Sequence, residues 1–204
     1  MVEKVLVFDY DGTIVDSYQA YAPRFLSLLE KYHLQHKVKD FKSLYASNFA
    51  QSLLSLGLTQ KNVLALIQDI REPFEGKPET IPPFAGMIDI MNMLTKRYSV
   101  YVVTSNLTSV IQESLDYWNI QGVKEVLGGD TEISKVTKLK LLQKKHPSAE
   151  LFYIGDTLGD IHEAHEARVK SIAVTWGYHS RKELEKIKPD YIVDRPKALL
   201  NVLT

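Results

Sequence analysis

The chain has 204 residues, 45% of them apolar, which is enough for one sizeable domain or a domain with a smaller appendage. Its 25 basic residues balance 25 acidic ones, so there is no electrostatic footprint for nucleic acid or an anionic membrane. Cysteine is absent, which excludes disulfides and thiolate metal sites and fits a reducing compartment.

The first predicted element is the apolar run Val5-Leu6-Val7-Phe8, a buried strand that stops at Asp9-Tyr10-Asp11-Gly12-Thr13. It delivers two carboxylates to the rim of a sheet, where ligands bind in open α/β folds. Acids this close repel, and one would hold its proton unless a divalent cation let both stay charged. Such hard oxygen ligands suit Mg²⁺.

From Ser17, a candidate N-cap, the pattern turns helical. Tyr21, Phe25, Leu28, Leu29 and Tyr32 recur at helical spacing, and residues 33–37 break the helix. Phe41, Leu44 and Tyr45 predict a short helix, and residues 47–49 a loop. Leu53, Leu54 and Leu56 then read as a helix stopped by Gly57. Thr59 caps a further helix carrying Val63, Leu64, Leu66, Ile67 and Ile70. Pro73, Gly76, Pro78, Pro82 and Pro83 mark a linker.

Beyond the prolines, strands and helices alternate. Strands are predicted at Val100–Val103, Val126–Leu127, Leu151–Ile154, Ser171–Val174 and Tyr191–Val193, with helices between them. This pattern predicts an α/β fold, a Rossmann-like three-layer core around a parallel sheet. Residues 17–82 form an inserted α-helical cap; residues 1–16 and 83–204 form the core. An insertion leaving just after the acidic pair sits over the ligand-binding edge, and its natural role is a lid. No apolar run is long enough to span a bilayer, and the first strand leaves no room for a signal peptide, so the expectation is a soluble cytoplasmic protein.

Polar residues gather at the predicted strand ends. Asp9 and Asp11 follow the first, and Thr104-Ser105-Asn106 the second. Lys135 and Lys138 come after the third, and Asp156, then Asp160 one helical turn on, after the fourth. Acids, a hydroxyl and a lysine on one edge are what phosphoryl transfer requires, because the substrate's negative charge must be neutralised as an anionic oxygen attacks it.

These four motifs, in this order, resemble the signature motifs of the haloacid dehalogenase superfamily over nearly the whole chain. Asp16-Ser17, Pro83-Phe84-x-Gly86 and Trp176-Gly177-Tyr178 resemble the phosphoglycolate phosphatase-like branch, whose members carry a small helical cap. The resemblance implies a Mg²⁺-dependent phosphatase acting on a small phosphorylated metabolite. It makes Asp9 the nucleophile that forms an aspartyl-phosphate, and Asp11 the acid that protonates the leaving oxygen and then activates water. It implies that Mg²⁺ is held by the Asp9 carboxylate, the Asp11 backbone carbonyl and Asp156, with Asp160 a direct or water-bridged ligand. Thr104 and the Ser105 amide hold the phosphoryl group, and a lysine neutralises it. Lys135 is the stronger candidate for that lysine. Lys138 reads as part of a solvated helix face with Lys140 and Lys144.

Other residues carry weaker signals. Asn48 and Phe49 fall where related caps place a substrate-reading loop. Arg24 and Arg71 could contact a substrate carboxylate or phosphate but read first as exposed helix charges, and His162 and His165 read as surface histidines rather than a zinc pair. A phosphomutase of the same superfamily is the alternative reaction. A phospho-acceptor signalling domain, which normally has no helical cap, is the alternative from another class. Phosphoglycolate, a nucleoside monophosphate, pyrophosphate and a sugar phosphate all stay open as substrates, and no feature sets an oligomeric state.

Overall fold

The computed structural model describes residues 3–132 and 134–203. Six parallel strands lie in the order β3-β2-β1-β4-β5-β6: β1 Lys4–Phe8, β2 Ser99–Val103, β3 Glu125–Leu127, β4 Glu150–Gly155, β5 Lys170–Val174 and β6 Tyr191–Val193. The two centre strands are apolar because helices cover both faces. Leu6, Phe8, Val100, Val102 and Ile154 pack on one side; Val5, Val7, Tyr101, Val103 and Tyr153 pack on the other. The strand order reverses between β1 and β4, so the crevice at their carboxyl ends is the switch point where such sheets bind ligands.

Between β1 and β2 the described chain is helical, with no strand. Before the prolines at 82 and 83 it comprises α1 (Tyr18–Leu28), a 3₁₀ turn (Lys42–Ala46), α2 (Phe49–Ser55), α3 (Gln60–Arg71) and two short 3₁₀ turns (Glu72–Phe74 and Pro78–Thr80). These elements bury their own cluster around Phe25, Phe41, Leu53 and Leu66, which Tyr178 joins from beyond β5. The chain leaves and returns along adjacent paths: Asp16 N–H donates to the Pro82 carbonyl at 2.9 Å, and Phe84 N–H to the Ile14 carbonyl at 3.0 Å.

Several local predictions change in detail. Ser17 occupies the N-cap position of α1, but its hydroxyl makes no capping bond; it lies 2.9 Å from the Tyr178 hydroxyl. Residues 47–49 are a helix start rather than a plain loop, since the Asn48 side chain accepts from the backbone N–H groups of Ala50 and Gln51. Thr59 caps α3 as expected, accepting from Asn62 N–H.

The remaining helices pack on the sheet: α4 Met87–Leu94, α5 Thr108–Tyr117, α6 Lys135–Lys145, α7 Leu158–Ala167, α8 Arg181–Leu184 and α9 Leu199–Val202. Among the described residues no helix is long and apolar enough to cross a membrane.

Candidate active site

The carboxyl ends of β1, β2 and β4 and the first turns of α6 and α7 meet in one place. Asp9 follows β1, and its N–H donates to the Ile154 carbonyl at 2.8 Å, locking that residue to the neighbouring strand. Asp156 follows β4. Thr157 and Asp160 form a reciprocal capping box at the start of α7, which turns the Asp160 carboxylate back towards the strand ends. Oxygens of Asp9, Asp156 and Asp160 all lie within 4.8 Å of one another, and all three residues are buried.

Lys135, the first residue of α6, binds this cluster. Its Nζ is 2.8 Å from Asp9 Oδ1 and 2.8 Å from Asp160 Oδ1. Ser134 sets that register by capping the helix through Thr137 N–H. Asp160 is saturated by protein donors. Lys135 and the Tyr153 hydroxyl reach Oδ1, and the Thr157 hydroxyl and N–H reach Oδ2. Asp156 is held by the Thr13 hydroxyl on Oδ1 and the Tyr178 N–H on Oδ2. Two glycines make room for it. A Cβ on Gly12, whose φ is +78°, or on Gly177 would collide with the Asp156 carboxylate.

Three buried acids face one lysine, and the proton affinities show the imbalance. Burial raises Asp9 well above the usual carboxylate range; Lys135 opposes this, while Asp160 and Asp156 add to it. Burial, then the charge of Asp160, pushes Asp156 up to about 8. Burial also acts upward on Asp160, but Lys135 and the hydrogen bonds outweigh it and hold that carboxyl low. Lys135 loses stability to burial yet is held well above its usual value by Asp160 and Asp9. A cluster of hard oxygen donors carrying surplus negative charge fits a divalent cation.

Asp11 stands beside this cluster rather than in it. Its Oδ2 accepts from Asn106 Nδ2 at 2.6 Å, and its Oδ1 is buried with no hydrogen-bond partner among the described residues. Burial raises its pKa, with Arg71 opposing. The Thr104 hydroxyl accepts from Asn106 N–H at 3.0 Å, leaving its own O–H free to donate. Ser105 is exposed at the same loop. Asp9, Asp11, Thr104, Ser105, Lys135, Asn48 and Phe49 all line one cavity.

Three residues depart from the reading of the sequence. Lys138 is fully buried, not part of a solvated face; its Nζ donates to the Thr104 carbonyl at 2.8 Å, while Lys140 and Lys144 are exposed as expected. Helical period explains it. Lys138 falls on the same side of α6 as Leu139 and Leu142, and its four-carbon stem carries the ammonium to the loop. Arg71, at the end of α3, is half-buried rather than exposed. It reaches across the cavity to the Ser105 carbonyl at 3.4 Å, a weak contact, and its charge acts on Asp11. Arg24 is likewise half-buried rather than exposed and donates to the Asp69 carbonyl, whereas His162 and His165 are exposed. Sequence reasoning assigned no role to Asn106, although it belongs to the motif that supplied Thr104 and Ser105. It also missed Glu163, 3.9 Å from Lys135 Nζ, where burial first of all raises its pKa to about 7.

This arrangement, with acids at the β1 and β4 ends and a lysine from α6 under a helical insertion, defines a class. Residues 6–174 match the family of haloacid dehalogenase-like hydrolases, and the chain belongs to that family. It is 25% identical over 213 residues to a phosphoglycolate phosphatase of Synechococcus elongatus, covering 98% of this chain and 97% of that one. It is 28% identical over 211 residues to a putative pyrophosphatase, PpaX, of Caldanaerobacter subterraneus, covering 97% and 93%. Its fold superposes on the crystal structure of a predicted phosphatase from Clostridium acetobutylicum with a TM-score of 0.82 at 21% identity, covering 100% and 99%.

Proposed function

We propose that the chain is a Mg²⁺-dependent phosphatase that hydrolyses a phosphate monoester through an aspartyl-phosphate on Asp9. The observation that carries this reading is the convergence of Asp9, Asp156 and Asp160 on one another, with Lys135 bridging two of them. The names of the relatives, phosphoglycolate phosphatase and pyrophosphatase, support the phosphate chemistry.

In the first step an Asp9 oxygen attacks phosphorus and the ester P–O bond breaks. Asp11, whose burial raises its proton affinity, gives a proton to the departing alkoxide. In the second step Asp11, now a carboxylate, takes a proton from water as that water attacks phosphorus. Phosphate leaves and Asp9 is regenerated. Asn106 keeps Asp11 oriented for both steps. The Thr104 hydroxyl and the Ser105 backbone N–H hold the transferring group, and Lys135 offsets its charge.

Asp9 and Asp156 would hold Mg²⁺ with the Asp11 carbonyl. Asp160, its oxygens already engaged, would act through its charge and through Lys135. The ion supplies charge neutralisation that lets Asp9 react as a carboxylate. Residues 17–82 act as the cap over residues 1–16 and 83–204, a division supported by their separate apolar cluster and by the paired strands of chain that join them.

The test is Asp9→Asn, which keeps size and shape. Hydrolysis of a generic aryl phosphate should fall by at least ~10³-fold, with the thermal midpoint little changed. Chelation of divalent ions should abolish wild-type turnover, and added Mg²⁺ should restore it. Turnover by Asp9→Asn at the wild-type rate would sink the proposal.

A further inference from the structure

The cavity that contains the aspartates has a volume of about 940 Å³. That lies at the upper end of the ~300–1,000 Å³ range of sites that enclose drug-sized ligands. A two-carbon glycolate moiety would leave most of it to water.

Away from the strand ends its lining includes a run of apolar side chains among polar ones. Phe49, Leu54, Leu64 and Ile67 face it from α2 and α3, and Leu107 and Val110 face it from the start of α5. Three of these are among the most exposed large apolar residues of the described chain: Leu64 at 66%, Leu107 at 45% and Leu54 at 41%. Apolar side chains left in water around one opening mark a binding surface. The charges fit the same occupant. Beyond the strand ends and Arg71, which lies against the Ser105 loop, the lining includes one lysine, Lys77, outnumbered by Glu75, Glu113 and Glu166. These acids repel a second anionic group at the far end of a substrate.

We propose that the substrate is a phosphate monoester whose alcohol carries an extended apolar body, rather than a two-carbon acid or pyrophosphate. The inference rests on the phosphatase reading for the phosphate end of the ligand. The phosphoryl group enters the strand-end pocket, and the apolar body lies between α2–α3 and α5. Closure of the helical segment onto α5 would bury the same side chains, and the experiment separates the two.

Binding of n-alkyl phosphonates from ethyl to octyl to the intact protein with Mg²⁺ is measured by calorimetry, beside turnover of the matching alkyl phosphates. These leaving groups have similar acidity, so chain length alone varies. Each methylene fully removed from water is worth about fourfold in affinity, and partial burial about twofold. The dissociation constant should therefore fall by at least ~50-fold from ethyl to octyl. In the double variant Leu54→Gln/Leu64→Gln, whose exposed positions spare the fold, that gradient should flatten. A flat wild-type series overturns the inference, as does an unchanged gradient in the double variant. So does an equal loss for every phosphonate, which would assign these leucines to closure. In all three cases turnover of ethyl phosphate keeps the phosphatase reading. A steep gradient without turnover of any ester sinks that reading and leaves the binding inference standing.

Discussion

Asn106 holds the Asp11 carboxylate through a 2.6 Å bond, and its own N–H is fixed by the Thr104 hydroxyl. A donor to a carboxylate favours the charged form, so removing it raises the carboxyl's pKa. Asn106→Ala should lower kcat/KM by about 10- to 100-fold and move the Asp11 limb of the pH profile to higher pH. A profile that keeps its midpoints would mean that Asn106 is only structural. Lys138 acts at one remove, through the carbonyl of Thr104. Burial, then the charge of Lys135, pushes its pKa down to about 8. Lys138→Met keeps the stem but leaves a buried carbonyl unpaired. It should cost about 1–3 kcal/mol in denaturant unfolding, and an unchanged midpoint would contradict that role. Asp9, Asp11, Asp156 and Lys135 were legible as candidates because each stands beside a strand or helix boundary that the sequence itself marks. The burial of Lys138 was not, because a lysine among lysines gives no sign of which side of its helix the core occupies. Asn106 shows the same limit: its partner Asp11 is 95 residues away.

At the scale of elements, the helical segment touches the core at points other than its two connections. Tyr178 enters its apolar cluster, stacking edge-on against Tyr45 at 5.0 Å and Tyr18 at 5.1 Å between ring centroids. Lys42, in the 3₁₀ turn, bonds Glu183 of α8 at 3.1 Å. Glu183 also closes a capping box with Ser180, whose hydroxyl and N–H lead in holding its pKa at about 2; Lys42 adds to them. A carboxyl with a depressed folded pKa contributes stability in full above its unfolded value of 4.5. That contribution is lost as pH falls through about 2. The side chain is 31% exposed, which limits the contribution to about 1 kcal/mol. Wild type and Glu183→Ala should thus differ by about that much at pH 6, with the gap narrowing as pH is lowered from 4 to 2. A gap independent of pH would contradict the assignment. The elements themselves were readable from period and punctuation. The Ser17 cap was not, because the hydroxyl that competes for it belongs to Tyr178, 161 residues on.

Across the whole molecule, one sheet edge gathers the candidate residues, and the helical segment lines the same cavity. The order β3-β2-β1-β4-β5-β6 places Asp9 and Asp156 on either side of the switch point, although 147 positions separate them in the chain. Alternating strands and helices made the parallel sheet predictable, and the motif order made the grouping of the candidate residues predictable, because both depend on local pattern. The character of the cavity was not predictable. Leu54 and Leu64 read as ordinary helix positions until tertiary packing leaves them facing one space. The most direct measurement of the central claim uses Asp11→Asn, which removes the acid proposed to activate water while leaving Asp9 in place. Mixed with an aryl phosphate and Mg²⁺, whose leaving group needs no proton, and quenched in acid, this variant should carry one phosphoryl group on the peptide containing Asp9. The group should disappear when Asp9→Asn is added. A phosphoryl group on any other residue, or continued turnover with none bound to the protein, would contradict the account.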